Sequence, residues 1–254
     1  MKISLITVCF NSSSVIRTAL ESVLRQQGVE LDYIVVDGGS TDGTVDILKE
    51  YELKFAGRMR MISERDEGMY DAINKGIRMA KGDVVGILNA DDRLEDENTL
   101  AAVAAAFEPG IDCIYGDIRF VRGESLKTTR YYSSRRWRPW MHNWGFMPAH
   151  PSVYVRREVF ERVGNYKLGY DISADFEWMV RLLCRARVKT RYLPRSIVTM
   201  RLGGKSTAGL RAMLRLNREN VRANRENGYF CVLPMMLPKY FFKIWGYVFR
   251  RQGS

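Results

Sequence analysis

Residues Val84–Glu97 read VVGILNADDRLEDE. An apolar run, Val84–Leu88, stops at Asn89-Ala90-Asp91-Asp92 and continues as a string of acids. A run this short, bounded by turn residues, has the pattern of a strand buried on both faces, as in parallel sheets. The acids that follow are either an ordinary turn or a cluster aimed at a ligand. The run alone does not separate the two, so its neighbours must.

Working outward, Ile3–Phe10, Tyr33–Asp37 and Arg60–Glu64 repeat the short Val/Ile-rich strand pattern. Between them, Ser14–Gln26 carries Val15, Ile16, Ala19, Leu20, Val23 and Leu24 on one helical stripe, behind a Ser12–Ser14 capping cluster. Thr44–Leu53 and Met69–Met79 are the next two helices. Strands alternating with helices of this length predict right-handed βαβ units, an α/β fold with a mostly parallel central sheet flanked by helices. Such a sheet opens its ligand crevice at the carboxyl ends of its strands. Asn11, Asp37, Glu64-Arg65-Asp66-Glu67 and Asn89-Ala90-Asp91-Asp92 each follow or close one of the four strands. Polar clusters gathered on one rim favour a site over scattered turns.

The rest of the chain is less regular. Strands are expected at Cys113–Val121 and Lys127–Tyr132, then an aromatic, basic loop, SSRRWRPWMHNW. Helices follow at Arg157–Gly164 and Ala174–Arg187, strand pieces at Val188–Leu193 and Ile197–Arg201, and a long helix over Ala208–Asn227. The chain has 254 residues, 46% hydrophobic, enough for one large α/β domain with a sizeable core, or for that domain plus a small appendage. Its N-terminus turns polar too soon for a signal peptide and reads as a first strand. Four scattered cysteines without a C-x-x-C pair suit a reducing cytosol, and two histidines disfavour a His/Cys zinc site. The net charge of +11 is uneven: from Trp178 onward, 17 Lys/Arg face two acids, whereas the first 177 residues carry 23 basic and 27 acidic side chains. That asymmetry points to a polyanionic partner, nucleic acid or anionic membrane, against the plainer reading of a solvated face.

Three clusters can carry chemistry. In DGGSTDGT (Asp37–Thr44), two glycines allow a sharp turn and close backbone approach, and Ser40, Thr41 and Asp42 can cap the next helix. It is neither a dinucleotide fingerprint nor a P-loop. A magnesium or manganese ion on a nucleotide diphosphate needs only one or two protein carboxylates, which Asp91 and Asp92 can supply. Asp175 and Glu177 sit in the first turn of an amphipathic helix. There they either offset the helix dipole, at about 0.5 kcal/mol each, or provide a general base on a rigid element.

Taken in order, ISLITVCFN, YIVVDGGSTDGT, SERDEGMYDAINKGIRMAKGD, VVGILNADD, HPSVYVRREVFERVGNY, SADFEWMVRL and RLGGKST resemble the family 2 glycosyltransferases of the GT-A fold. The resemblance covers about residues 2–207. It implies a GT-A domain over 1–207 and a C-terminal basic, amphipathic helical extension over 208–254. It also implies inverting, metal-dependent, non-processive sugar transfer from a nucleotide diphosphate in cell-surface polysaccharide synthesis. UDP is the expected nucleotide, with GDP or dTDP as alternatives. By the same likeness, Thr7, Phe10, Asn11 and Asp37 line the nucleoside pocket, and Glu64, Asp66, Tyr70 and Lys75 close its other side. Asn89 and Ala90 complete the donor turn, Asn89 standing where the motif's first acid would and contacting ribose. Asp91 and Asp92 hold Mn2+ or Mg2+, and Asp175 is the catalytic base. Arg201, Lys205 and Ser206 face the diphosphate. No Gln-x-x-Arg-Trp motif is found, so one sugar per encounter is expected. No His follows Asp175 to serve as a third metal contact; His150 reads as a core or acceptor-site residue.

Arg211, Arg215, Arg218, Arg222 and Arg225 recur at helical spacing along one face of the 208–227 helix, and an aromatic, basic segment follows. Two prolines and internal lysines make that segment a poor membrane span, and it suits the membrane interface instead. The expected setting is cytoplasmic, peripheral on the inner face of a bacterial membrane, with a saccharide or lipid-diphosphate-linked acceptor and no nucleic acid. A basic nucleic-acid-binding protein is the rival class, since SSRRWRPWMHNW mixes bases with stacking aromatics. A nucleotidyltransferase is a second rival, although CFNSSS is not its glycine-rich loop.

Overall fold

In the computed structural model, residues 1–122, 127–201 and 209–241 are described. Strands β1 (Lys2–Cys9), β2 (Glu30–Asp37), β3 (Met59–Ser63) and β4 (Val84–Ile87) lie side by side in the order β3-β2-β1-β4, all parallel. Side chains alternate across a strand, so β1 and β2 feed two cores. Ile6, Val8, Ile34 and Val36 pack with Tyr70, Ile73 and Ile77 of helix α3 (Met69–Met79). Ile3, Leu5, Tyr33 and Val35 pack with Ile16, Leu20 and Val23 of α1 (Ile16–Leu24) and with Leu48 of α2 (Thr44–Lys54). The N-cap residues Val15 of α1 and Gly43 of α2 make no side-chain cap bond.

Beyond β4 the sheet becomes mixed. After β5 (Arg93–Leu94) and α4 (Thr99–Ala106) come β6 (Cys113–Val121) and β7 (Thr128–Tyr132), then β8 (Val153–Arg156), which pairs antiparallel with both β4 and β6. β9 (Thr190–Arg201) runs parallel to β6, β5 closes the edge antiparallel to β9, and β7 lies along the outer half of β6. Among the described residues this makes one nine-stranded sheet. The four-residue β8 and two-residue β5 are too short to show a periodicity. The two expected strand pieces near the end are one strand, β9. It carries Pro194 where the β6 register shifts, an irregularity that spares the ladder a missing donor. Tyr154 of β8 lies flat over Gly86 of β4, where any Cβ would stand 2.3 Å from the ring.

Helix α5 (Glu158–Val163) precedes α6 (Ala174–Met179), which continues as a π-helical stretch, Val180–Arg185. The last described helix, α7 (Leu210–Glu226), is not a separate appendage. Asn217, Asn220, Val221, Ala223 and Asn224 are buried on its inner side, and Ala223 belongs to the core on the α3 face. Asn224 Oδ1 lies 2.5 Å from His142 Nδ1. Among the described residues, no helix is long and apolar enough to cross a membrane.

Candidate active site

The loops after β1, β2 and β3 are tied into one rim by Asp37. This carboxylate is completely buried and accepts from Gly39 N, Ser40 N, Ser40 Oγ and Ser63 Oγ at 2.5–3.1 Å. Burial alone would raise its pKa; the hydrogen bonds from Ser40 and Ser63 outweigh that and hold the carboxyl below its usual range. Ser40 Oγ accepts in turn from Asn11 N at 2.7 Å, and Asn11 Oδ1 accepts from Thr41 N at 3.0 Å. Asn11 adopts a left-handed conformation (φ 47°), and Gly39 another (φ 82°), so the turn depends on residues that tolerate positive φ. Asp42 accepts from the backbone N–H and hydroxyl of Thr44, the first residue of α2, and from Ser13 N.

Phe10 is left 58% exposed on this rim, beside Gly38 and Asp66. A Cβ at Gly38 would stand 3.1 Å from Asp66 Oδ2 and 3.4 Å from Phe10 Cδ2. Lys75, from α3, reaches Asp66 at 2.5 Å, Glu64 at 2.8 Å and Asp71 at 3.7 Å. The hydrogen bonds to Asp66 and Glu64 push its pKa upward and keep it cationic. Phe10, Asn11, Asp37, Glu64, Asp66 and Lys75 therefore form one connected cluster.

Thr7 is not in that cluster. It is completely buried, with its hydroxyl accepting from Tyr33 OH at 3.0 Å inside the core. Side-chain alternation explains this, for Thr7 and Cys9 face the same side of β1 but only Cys9 reaches the strand end, with Sγ 3.5 Å from Asp37.

At the end of β4 the two aspartates part. Asp91 is half-exposed, and among the described residues its carboxylate has no hydrogen-bond or ion-pair partner. Asp92 is 1% exposed and turned inward, accepting from Asn89 Nδ2 at 2.9 Å. Its Oδ1 is buried without a partner. Burial and the neighbouring Asp91 charge push the Asp92 carboxyl up to about 7, against the hydrogen bonds from Asn89 and the Arg201 backbone. Ala90 is buried in the core on the α1 face instead of lining the rim. β5 pairs with β9, which brings Arg201 beside this acidic turn. No group of three or more His, Cys, Asp or Glu among the described residues could hold a metal alone. A half-exposed Asp91 carboxylate with no partner among the described residues suits an ion that takes its other ligands from a diphosphate and water, whereas Asp92 is buried and turned inward. Lys205 and Ser206 lie outside the described residues.

The first-turn acids of α6 also part. Glu177 is completely buried and makes a bidentate ion pair with Arg181 at 2.8–2.9 Å, and Lys167 reaches it at 3.1 Å. Asp175 is half-buried beside the start of α3. Its Oδ1 accepts from Phe176 N at 2.7 Å and lies 3.4 Å from Tyr70 OH. Among the described residues, its Oδ2 has no partner. Burial raises the Asp175 pKa, against the His150 charge and the hydrogen bonds from Phe176 and Tyr70. Around it stand residues that sequence reasoning left unassigned. Tyr166 stacks between Tyr70 and Trp178, donates its backbone N–H to Asn74 Oδ1 at 3.0 Å, and places its hydroxyl 2.8 Å from His150 Nε2. His150 is thus a satisfied residue of the Asp175 surroundings, with its pKa lowered by burial and raised in part by Asp175.

A family model described as glycosyl transferase family 2 matches residues 4–164. The chain belongs to glycosyltransferase family 2. This glycosyltransferase is 32% identical over 198 residues to the PGL/p-HBAD biosynthesis glycosyltransferases of Mycobacterium bovis and Mycobacterium tuberculosis, covering 75% of this chain and 73% of theirs. It shares its fold with Staphylococcus aureus TarS 1–349 in complex with UDP-GlcNAc, at a TM-score of 0.67 and 15% identity, over 94% of this chain and 71% of that one. Of a longer TarS chain it covers 39%. The mannosyltransferase PcManGT from Pyrobaculum calidifontis, in complex with GDP-Man and Mn2+, matches at a TM-score of 0.65 and 18% identity, over 97% and 70%. The family decides for a glycosyltransferase over a nucleotidyltransferase or a basic nucleic-acid-binding protein.

Proposed function

We propose that this glycosyltransferase moves a sugar from a nucleotide diphosphate, UDP first among the candidates, to a hydroxyl of a saccharide or lipid-diphosphate-linked acceptor, with inversion and one sugar per encounter. The observation that carries this is Asp175: a desolvated carboxylate on a short rigid helix, with one oxygen unpartnered among the described residues. Desolvation makes it a stronger base than an exposed carboxylate, suited to take the acceptor proton as the hydroxyl oxygen attacks the anomeric carbon. The bond from that carbon to the diphosphate breaks on the opposite face, and a single displacement of this kind inverts the centre. Phe10, Asn11 and Asp66 hold the nucleoside side, and Arg201 offsets charge gathering on the departing diphosphate. Asp91 would hold a manganese or magnesium ion against the diphosphate, where such an ion acts as a Lewis acid.

The same reading includes a membrane. Arg211, Arg215, Arg218, Arg222 and Arg225 are all exposed on α7. Exposed Leu233 and Leu237 follow it, next to the 3-10 segment Pro139–Trp144 that carries exposed Trp140 and Trp144. Arg215 and Arg222 are paired with Asp171 and Glu226, which reduces their pull. Arg211 and Arg218 have no partner among the described residues. They would attract anionic lipid at about 1 kcal/mol each.

The test is a thermal-shift panel of UDP, GDP and dTDP, with and without manganese, followed by sugar transfer in Asp91→Ala and Asp175→Ala. If no nucleotide raises the midpoint, or both variants keep transferring, the mechanism is wrong. Vesicles containing phosphatidylglycerol should co-sediment with the protein and lose it in Arg211→Glu/Arg218→Glu; equal binding by both proteins sinks the membrane contact.

A further inference from the structure

Helix α6 has no side-chain cap of its own. The loop leading into it is held instead from α7. Glu219 accepts three consecutive backbone N–H bonds, from Asp171 at 3.0 Å, Ile172 at 3.0 Å and Ser173 at 2.8 Å. The next residue but one is Asp175. On the other side of the same loop, Tyr70 OH donates to Ile172 O at 2.5 Å. Arg215, one turn before Glu219, pairs with Asp171 at 2.7 Å. The segment before the base is therefore clamped between α3 and α7, and bonds from N–H groups to a charged carboxylate are among the stronger hydrogen bonds.

We propose that Glu219 is a positioning residue for Asp175, setting from α7 the reach of the base's carboxylate into the crevice. The inference rests on Asp175 being the base. Glu219 is not what docks α7. The helix is also held by Asn224 against His142, and by Glu226, which binds Lys167 and Tyr170. Losing Glu219 should thus free the loop while the helix stays in place, and the effect should fall on turnover rather than on donor binding.

The experiment compares Glu219→Ala, Glu219→Gln, Asp175→Asn and, as a folding control, Glu226→Gln. The substrate is whichever of a panel of UDP-, GDP- and dTDP-linked sugars the wild type consumes fastest with manganese. Release of nucleoside diphosphate gives kcat and the donor KM, calorimetry gives the fraction of molecules that bind the free nucleotide, and hydrogen exchange reports on the 171–173 amides. Glu219→Ala should expose those amides and lower kcat about 100-fold, the scale of a roughly 1 Å misplacement, with KM within about twofold. Glu219→Gln keeps an acceptor oxygen but no charge, and should lose about tenfold, the scale of one weakened charged hydrogen bond. Glu226→Gln should lower the melting midpoint and leave kcat unchanged. If Glu219→Ala keeps its kcat while Asp175→Asn is inactive, the positioning role is overturned and the base assignment stands. If kcat falls only in step with the nucleotide-binding fraction, Glu219 serves folding alone, and the proposal is likewise overturned. Turnover surviving in Asp175→Asn removes the base assignment and this inference with it.

Discussion

Glu177→Ala separates two accounts of an acid in the first turn of a helix. As a dipole-compensating charge, Glu177 would contribute about 0.5 kcal/mol. The structure instead shows a side chain with no exposure, bidentate to Arg181, reached by Lys167 at 3.1 Å and by Asn227 Nδ2 at 3.2 Å. Removing one partner of a buried pair destabilises by roughly 3–5 kcal/mol, because the other charge stays buried. Arg181 keeps two carbonyl partners, Val163 O and Asn165 O, so the lower end of that range is the better estimate. For a chain of this size, 1 kcal/mol moves the melting midpoint by about 2–4 °C. The dipole account therefore predicts a fall of about 1–2 °C, and the buried pair a fall of about 6–12 °C at its lower end. Differential scanning calorimetry reads the difference directly. Glu177→Ala combined with Arg181→Ala should lose less than the two single variants summed. A Glu177→Ala midpoint within about 2 °C of wild type would refute the buried-pair reasoning.

Asp175 has its pKa raised by burial, so kcat should fall as pH drops through that raised value, at a higher pH than an exposed carboxylate would give; a rate profile with its acid limb in the ordinary Asp range contradicts this. Gly86→Ala puts a methyl group 2.3 Å from the Tyr154 ring, and urea unfolding should show a loss of about 1–3 kcal/mol. Glu226 is lowered to about 2: burial raises it, but hydrogen bonds from Arg222, Lys167 and Tyr170 prevail. A depressed carboxyl stabilises the fold fully above its unfolded pKa near 4.5, and that stability is lost as pH falls toward about 2. Urea midpoints measured across that window should fall less steeply in Glu226→Gln.

The first half of the fold was legible because each element there carries its own signal. The stretch Met69–Met79 has a wide apolar stripe and begins and ends where the periodicity says. β8 and β5 were not legible, since four and two residues cannot establish a period. At the site, the sequence brought Asp37, Asp66, Lys75, Asp91 and Asp175 into view as strand-end or helix-start polar residues. It could not separate Asp91 from Asp92, or Asp175 from Glu177, because neighbours in sequence leave a turn in different directions. Tyr166 and Glu219 gave no local sign at all; their partners lie 92 and 46–48 residues away.

What the sequence determined by itself was the α/β alternation, the polar rim at the strand ends and the family motifs, all properties of short spans whose periodicity and turn chemistry are local. Only the tertiary structure decided which carboxylates are free and which are bound, because burial and partnership depend on side chains distant in the chain. It also decided that α7, read from its arginines as an outlying basic helix, has a second face. That inner face is buried against the domain, and its Glu219 holds the loop that carries Asp175.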